Sequence, residues 1–156
     1  MMGLGRLCGM VLVVMGCAGA PLPGAPADAD RAMVEAVLAD LDRTTLPARE
    51  HLRNYEPGAV ILAPGLAEIR GHAAIEEHLA ASQQGVSVTM RHEIVELTAF
   101  GDLVVAQGRV VGVAQPDGDA NAYPFETKNI IMLRRQGDGT LKIWKVIYNA
   151  APQKLN

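Results

Sequence analysis

The chain has 156 residues, 49% of them apolar but only 4% aromatic, so it can build one domain around an aliphatic core of Val, Ile, Leu, Met and Ala. Its formal charge is −3, and its basic residues are scattered, with only Arg134 and Arg135 adjacent. No cationic stripe suits a phosphate backbone, so nucleic acid is not an expected partner.

The N-terminus pairs one positive charge, Arg6, with an apolar run over 7–15, the charge and length of a secretory leader. The run is shorter than the ~20 residues a bilayer-spanning helix needs. Val14-Met15-Gly16-Cys17 follows and resembles the lipobox of bacterial lipoproteins, in which a small residue precedes the cysteine that receives the lipid. Met15 is bulkier than that motif prefers. Two other cleavage sites compete: Ala18-Gly19-Ala20, followed by an unfavourable Pro21, and Ala25-Pro26-Ala27, far from the apolar run. The expectation is a signal peptide over 1–16, lipidation at Cys17, a flexible tether over 17–27 and a folded domain over 28–156. That places the protein in a bacterial cell envelope, lipid-anchored at the outer membrane and facing the periplasm; a soluble periplasmic or secreted protein is the alternative. Cys8 leaves with the leader in this reading, so the mature chain has no disulfide to form.

Within the domain, Met33, Val34, Val37, Leu38 and Leu41 recur at helical spacing, predicting a core-facing helix over 28–42 with Asp28 and Asp30 near its start. Pro47 suits the first turn of a second helix, which runs to about Tyr55 and is stopped by Pro57-Gly58. A compact corner follows: a short strand over 59–62, a turn at Pro64-Gly65, a strand over 68–70, and Gly71 leading into a third helix over 72–81. That helix turns Ala74, Ile75 and His78 or Leu79 inward and shows Glu76 and Glu77 to water.

After Gly85 the apolar period changes to two. Val86, Val88 and Met90 alternate with Ser87, Thr89 and Arg91, and the phase slips through His92-Glu93 to Val95 and Leu97, predicting a bulge or strong bend. Phe100-Gly101-Asp102 turns the chain into a long strand over 103–113. One face carries Leu103, Val105, Gln107, Arg109, Val111 and Val113; the other carries Val104, Ala106, Gly108, Val110 and Gly112. A loop over 116–124, a strand over 125–135, a hairpin at Gly137-Asp138-Gly139 and a last strand over 141–149 follow. Helices first and antiparallel strands after make an α+β domain, with about three N-terminal helices packed on one face of the sheet.

Four stretches in this order carry a family resemblance. They are Tyr55-Glu56-Pro57-Gly58-Ala59-Val60, Arg70-Gly71-His72-Ala73-Ala74-Ile75, Gly101-Asp102-Leu103-Val104 with Gly108, and the hairpin Leu133-Arg134-Arg135-Gln136 with Asp138-Gly139-Thr140-Leu141-Lys142-Ile143. On them the chain resembles the SnoaL-like, ketosteroid-isomerase-like group of the nuclear transport factor two superfamily, especially its bacterial envelope members. The match covers about residues 30–150, and Leu141 stands where the family usually has tryptophan. The resemblance implies a cone: a strongly bent antiparallel sheet wrapped on helices, a pocket inside it, and a homodimer through the sheet.

Ketosteroid isomerase uses an Asp base and an oxyanion site made of a Tyr and a protonated Asp. Registered on the corner and on the final hairpin, the base falls on Ala63, the protonated acid on Ile131 and the tyrosine near Ala39. A methyl group or a branched alkane moves no proton, so isomerase chemistry by that route is not expected. The same register, with strand alternation, turns Gln107 and Arg109, Thr127 and Asn129, and Trp144 and Tyr148 inward, with Tyr55 at the mouth. The predicted ligand pocket is therefore Tyr55, Gln107, Arg109, Asn129, Trp144 and Tyr148, suited to a small apolar or carboxylate-bearing molecule held by the Arg109 fork. Arg109 paired with Glu93 or Glu126, or facing outward, is the competing reading; for Trp144 and Tyr148 it is plain core packing.

His92, at the strand irregularity, is the one histidine considered for acid–base work, against the plainer reading of a satisfied or surface side chain. His72 and His78 are six apart and no cysteine cluster exists, so no metal is expected; nor is a cofactor, since no glycine-rich phosphate loop is present. The leading functional expectation is a lipid-anchored envelope protein that binds a small, partly apolar ligand or a protein partner without catalysis. The alternative is a cyclase, dehydratase or isomerase acting on a polycyclic or carbonyl substrate through His92, Tyr55 or Tyr148. A third reading is a dimeric scaffold with a filled cone.

Overall fold

A computed structural model describes Gly24 and residues 27–150. The predicted leader, Cys17 and most of the tether lie outside the described residues. Gly24, inside the predicted tether, exchanges backbone hydrogen bonds with Ala99 in both directions.

Helix α1 (Asp28–Leu41) buries Val34 and Leu38, with Met33, Val37 and Leu41 packed beside them, as its spacing requires. Asp30 is also buried, and it is neutralised by an ion pair with Arg135. Helix α2 (Ala48–His51) is shorter than predicted. A 3-10 turn, Leu52–Asn54, follows it, and strand β1 (Tyr55–Leu62) starts where the helix was expected to end. Tyr55 already pairs with the last strand, so sheet pairing overrides local helix propensity there. Pro57 and Gly58 lie inside β1 rather than stopping a helix, in the stretch where the ladder shifts register between Tyr55 and Val60. Strand β2 (Ile69–Arg70) leads into α3 (Gly71–Gln83), whose Ile75 is wholly buried; Gly71 makes the turn with φ of 80°.

Strands β3 (Val86–Phe100), β4 (Leu103–Pro116), β5 (Tyr123–Arg135) and β6 (Leu141–Ala150) form an antiparallel meander. The six-stranded sheet runs β2-β1-β6-β5-β4-β3 and is open, with helices on its inner face. The predicted α+β cone is the observed architecture, with one refinement: β1 pairs parallel to β6, so the sheet is mixed. The bulge in β3 falls between Ile94 and Glu96, at Val95, slightly beyond the predicted His92-Glu93.

Two glycines let the sheet coil this tightly. A Cβ on Gly108 would run into the Glu93 carbonyl oxygen, and one on Gly112 into the Thr89 carbonyl and the Phe125 ring. The main core lies where α1 and α3 meet the sheet around Ile61, Val104, Leu133 and Ile143. Leu141 is buried in it.

Candidate functional site

Away from this core the helices and the bent sheet part, leaving an open cavity of about 670 Å³. Its floor is the inner face of β3–β6. Its walls are α3, His51 of α2 and the loop over 42–47 that joins α1 to α2. The loop is tied across the rim: Thr44 donates to the Val88 carbonyl, and the Gln83 amide lies 3.3 Å from the carbonyls of both Thr44 and Leu46.

Asp42, at the C-terminal cap of α1, points its carboxylate at β3. It accepts the backbone N–H of His92, at 3.0 and 3.2 Å to its two oxygens, and the His92 Nδ1–H at 2.6 Å. The His92 side chain is only 9% exposed and lines the cavity. A carboxylate on Nδ1 fixes the ring and its tautomer, leaving the Nε2 lone pair to act as acceptor or base.

A second polar group stands on the β6 side of the cavity. His78 Nε2 lies 3.2 Å from the Tyr148 hydroxyl. Asn129 is directly opposite Tyr148 in the β5–β6 register, and its amide oxygen lies over Gly108, in the space a side chain there would fill. Burial pushes the Tyr55 phenol well above its ordinary range, with Tyr148 adding to the effect, and burial raises Tyr148 as well. Burial also pushes the His78 imidazole down. Both phenols thus stay protonated donors and His78 stays neutral near pH 7. Among the described residues, no Lys, Arg, Asp or Glu side chain lines the cavity; Asp42 reaches it through His92.

Of the residues predicted from sequence, Tyr55, His92, Asn129 and Tyr148 line this cavity. Gln107, Arg109 and Trp144 do not, which corrects the predicted pocket. Gln107 and Arg109 sit on the outer face of β4, in a second cleft of about 590 Å³ with Val95, Ile130 and Ile147, which shares Asn129 and Tyr148 with the cavity. There Arg109 Nε donates to Glu93 at 2.5 Å, and Glu126 is 3.7 Å away. Facing inward, the guanidinium would have met no counter-ion, and desolvating it there is costly. The alternation of β4 was read correctly, but its two faces were exchanged. Trp144 sits beside the Met132/Leu133 register shift, with the Arg134 guanidinium 4.1 Å and the Lys145 ammonium 4.3 Å from its ring centre.

Ala63, the position of the isomerase base, is buried beyond the end of β1 and off the cavity wall. Ile131 is on the wall, and Ala39 is exposed on α1. Sequence reasoning missed Asp42, read only as the end of α1, and passed over His51 and His78 as site residues. Asp42 is fifty residues from His92, and only the packing of α1 on β3 brings the two together. Among the described residues, no group of three His, Cys, Asp or Glu is arranged to hold a metal ion.

No protein-family model matches the chain, and no curated protein matches it. Solved structures do. A ketosteroid isomerase-like protein from Erwinia carotovora atroseptica superposes with a TM-score of 0.69 at 18% identity, covering 78% of this chain and 94% of that one. An NTF2-like protein with a cystatin-like fold from Novosphingobium aromaticivorans gives 0.68 at 16% identity, over 81% and 84% of the two chains. ActVI-ORFA from Streptomyces coelicolor gives 0.62 at 12% identity, over 78% and 93%. At these identities the likeness is one of fold, and the fold is the NTF2-like cone.

Proposed function

We propose that this NTF2-like cone is a proton-transfer enzyme of the isomerase, cyclase or dehydratase kind, acting on a neutral, largely apolar carbonyl compound. The observation that carries the reading is the Asp42–His92 pair on the cavity wall. It supplies an oriented base in a chain that has Ala63 and Ile131 where the resemblance to ketosteroid isomerase would put carboxylates. His92 Nε2 takes a proton from a carbon next to the carbonyl. The electron pair moves to the carbonyl oxygen, where neutral donors across the cavity, Thr127, Asn129 and Tyr148, can receive the developing charge. The imidazolium, stabilised by Asp42, then returns the proton. The uncharged lining disfavours the carboxylate-bearing ligand considered from sequence, since nothing on the wall would pair with the anion.

The test is exchange of the α-protons of 2-tetralone in D2O, followed by proton NMR. Exchange above the buffer rate is expected from the wild type and should fall about 10²–10⁴-fold in His92→Ala. Asp42→Asn should also lose rate, through loss of the tautomer. Exchange that is indifferent to both substitutions overturns the reading, leaving a binding domain without catalysis.

Two further proposals concern setting. The leader and Cys17 support an envelope lipoprotein with the cavity on the periplasmic side. Cys17→Ser should then move the protein from the membrane to the soluble envelope fraction, and unchanged fractionation would refute the anchor. The outer sheet face supports a homodimer, because exposed Val95, Ile130 and Ile147 lie among Glu93, Arg109, Glu126 and Lys128, charges able to meet their opposites on a second copy. Sedimentation should give a dimer that Ile147→Glu dissociates; a monomeric wild type counts against it.

A further inference from the structure

His51 closes α2 and is only 3% exposed, yet it lines the cavity. Its Nδ1 is sealed from solvent without a hydrogen-bond partner, the one side-chain polar atom in that condition among the described residues. Asp40, Arg43, Glu50 and Arg53 surround the ring, but their charges act from a distance and none bonds to it.

We infer that His51 is a positioning donor of the cavity, presenting Nε2–H to an oxygen of the ligand at the helical wall. An imidazole carries a proton on one nitrogen when neutral and on both when charged. A charged ring, or the Nδ1–H tautomer, would seal an N–H where nothing can accept it, and orphaned buried donors are rarer than orphaned acceptors. The remaining state has Nδ1 bare and the hydrogen on Nε2. Burial pushes the His51 imidazole down, Arg53 and Arg43 push the same way, and the opposing pull of Asp40 is smaller than the burial effect; the ring is therefore neutral.

His51 and His92 thus face one cavity in opposite tautomers. Asp42 holds a hydrogen on Nδ1 of His92 and frees its Nε2 as an acceptor. The sealed Nδ1 of His51 forces its hydrogen to Nε2 and makes it a donor. A neutral ligand with an acidic C–H and a hydrogen-bond-accepting oxygen meets both. The inference rests on the proposed function in taking such a ligand to be the occupant of the cavity.

Long-range proton–nitrogen NMR of the 15N-labelled protein at pH 7 reads the tautomer directly. A neutral Nε2–H ring is expected for His51, and an Nδ1–H ring overturns the inference. Titration with 2-tetralone then compares three variants. His51→Gln places an amide nitrogen near the position of Nε2 and should bind within about threefold of wild type. His51→Asn, which places it near Nδ1, and His51→Phe should bind about tenfold more weakly, the weight of one hydrogen bond. The two amide variants can be compared even if the phenylalanine variant fails to fold. Wild-type binding that none of the variants changes sinks this inference alone and leaves His92-dependent exchange intact. A wild type that neither binds nor exchanges 2-tetralone sinks the proposed function with it.

Discussion

The two faces of β4 are built from the same strand and obey opposite chemistry. Inward, Val104, Ala106 and Val110 are buried, and Gly108 and Gly112 make room for neighbours from β3 and β5. Outward, Gln107 and Arg109 stand in solvent, where Arg109 bonds to Glu93 across the ladder. The inner face carries no charge and ends at a cavity whose polar groups are nearly all neutral donors or imidazoles. The outer face pairs Arg109 with Glu93 and Glu126, with apolar side chains left between the charges. A strand of alternating character therefore separates two surfaces: an open cavity with an uncharged lining, and an exposed face where charged and apolar side chains are mixed.

The sharpest way to break this comparison is to put the same charge on both faces. Val110→Arg buries an unpaired guanidinium against the cavity and should cost about 3–5 kcal/mol of stability. Its neighbour Val111→Arg, pointing outward, should stay within about 0.5 kcal/mol of wild type. Urea unfolding at pH 7 measures both; equal losses would mean the two faces do not differ as described. Gly108→Ala comes next. Its Cβ meets the Glu93 backbone, which cannot step aside cheaply, so about 1–3 kcal/mol should be lost. Gly137→Ala, with open space around it, is the control and should be silent.

The alternation behind that comparison was legible in the sequence, and so were the element order, the corner around Gly71 and the cone. Period-two and helical patterns are local, and Gly, Pro and Asp-Gly turns mark their ends. Which face of β4 turns inward is left open by the sequence: Arg109 is placed in the pocket, with a pair to Glu93 or Glu126 or an outward side chain as the competing reading. The structure has the competing one. The decisive facts are non-local: Glu93 and Glu126 come from other strands, and the need for glycine at 108 and 112 comes from the coil of the whole sheet. The composition still held a clue, since a face of Val, Ala and Gly fits a tight inner curve better than one with Gln and Arg. The site was half visible. His92, Tyr55, Asn129 and Tyr148 could be singled out by residue type and phase, but Asp42 gives chemical meaning to His92 only after α1 packs on β3.

Smaller effects follow from two imidazoles of the cavity, His51 buried and His78 half-buried. Burial lowers the pKa of both His51 and His78, so the folded state resists protons that the unfolded chain accepts near its ordinary value of 6.5. Below about pH 6.5 the unfolded state binds more protons, and stability should fall with pH until the folded-state rings titrate as well. Melting temperature measured from pH 7.5 down to 5 should drop, and His78→Gln should flatten part of the slope. A profile unchanged by that substitution would place the acid sensitivity in other groups.

The smallest expected effect carries much of the comparison's weight. Arg109 is half exposed, and its ion pairs with Glu93 and Glu126 are solvent-screened, so Arg109→Ala should barely move the melting temperature. Its effect on the cavity separates the two arrangements of β4. With Gln107 and Arg109 inward, as the sequence register suggested, losing the guanidinium would weaken binding of a carboxylate-bearing ligand. With the arginine outside, 2-tetralone binding and exchange should be unaffected in Arg109→Ala and reduced in Asn129→Ala, the residue that lines the cavity one strand away. If the arginine variant alone lost ligand, the inner and outer faces would have to be exchanged again. If both variants lost it, the cleft around Arg109 and the cavity around Asn129 would have to be treated as one site, joined through Asn129 and Tyr148, which border both.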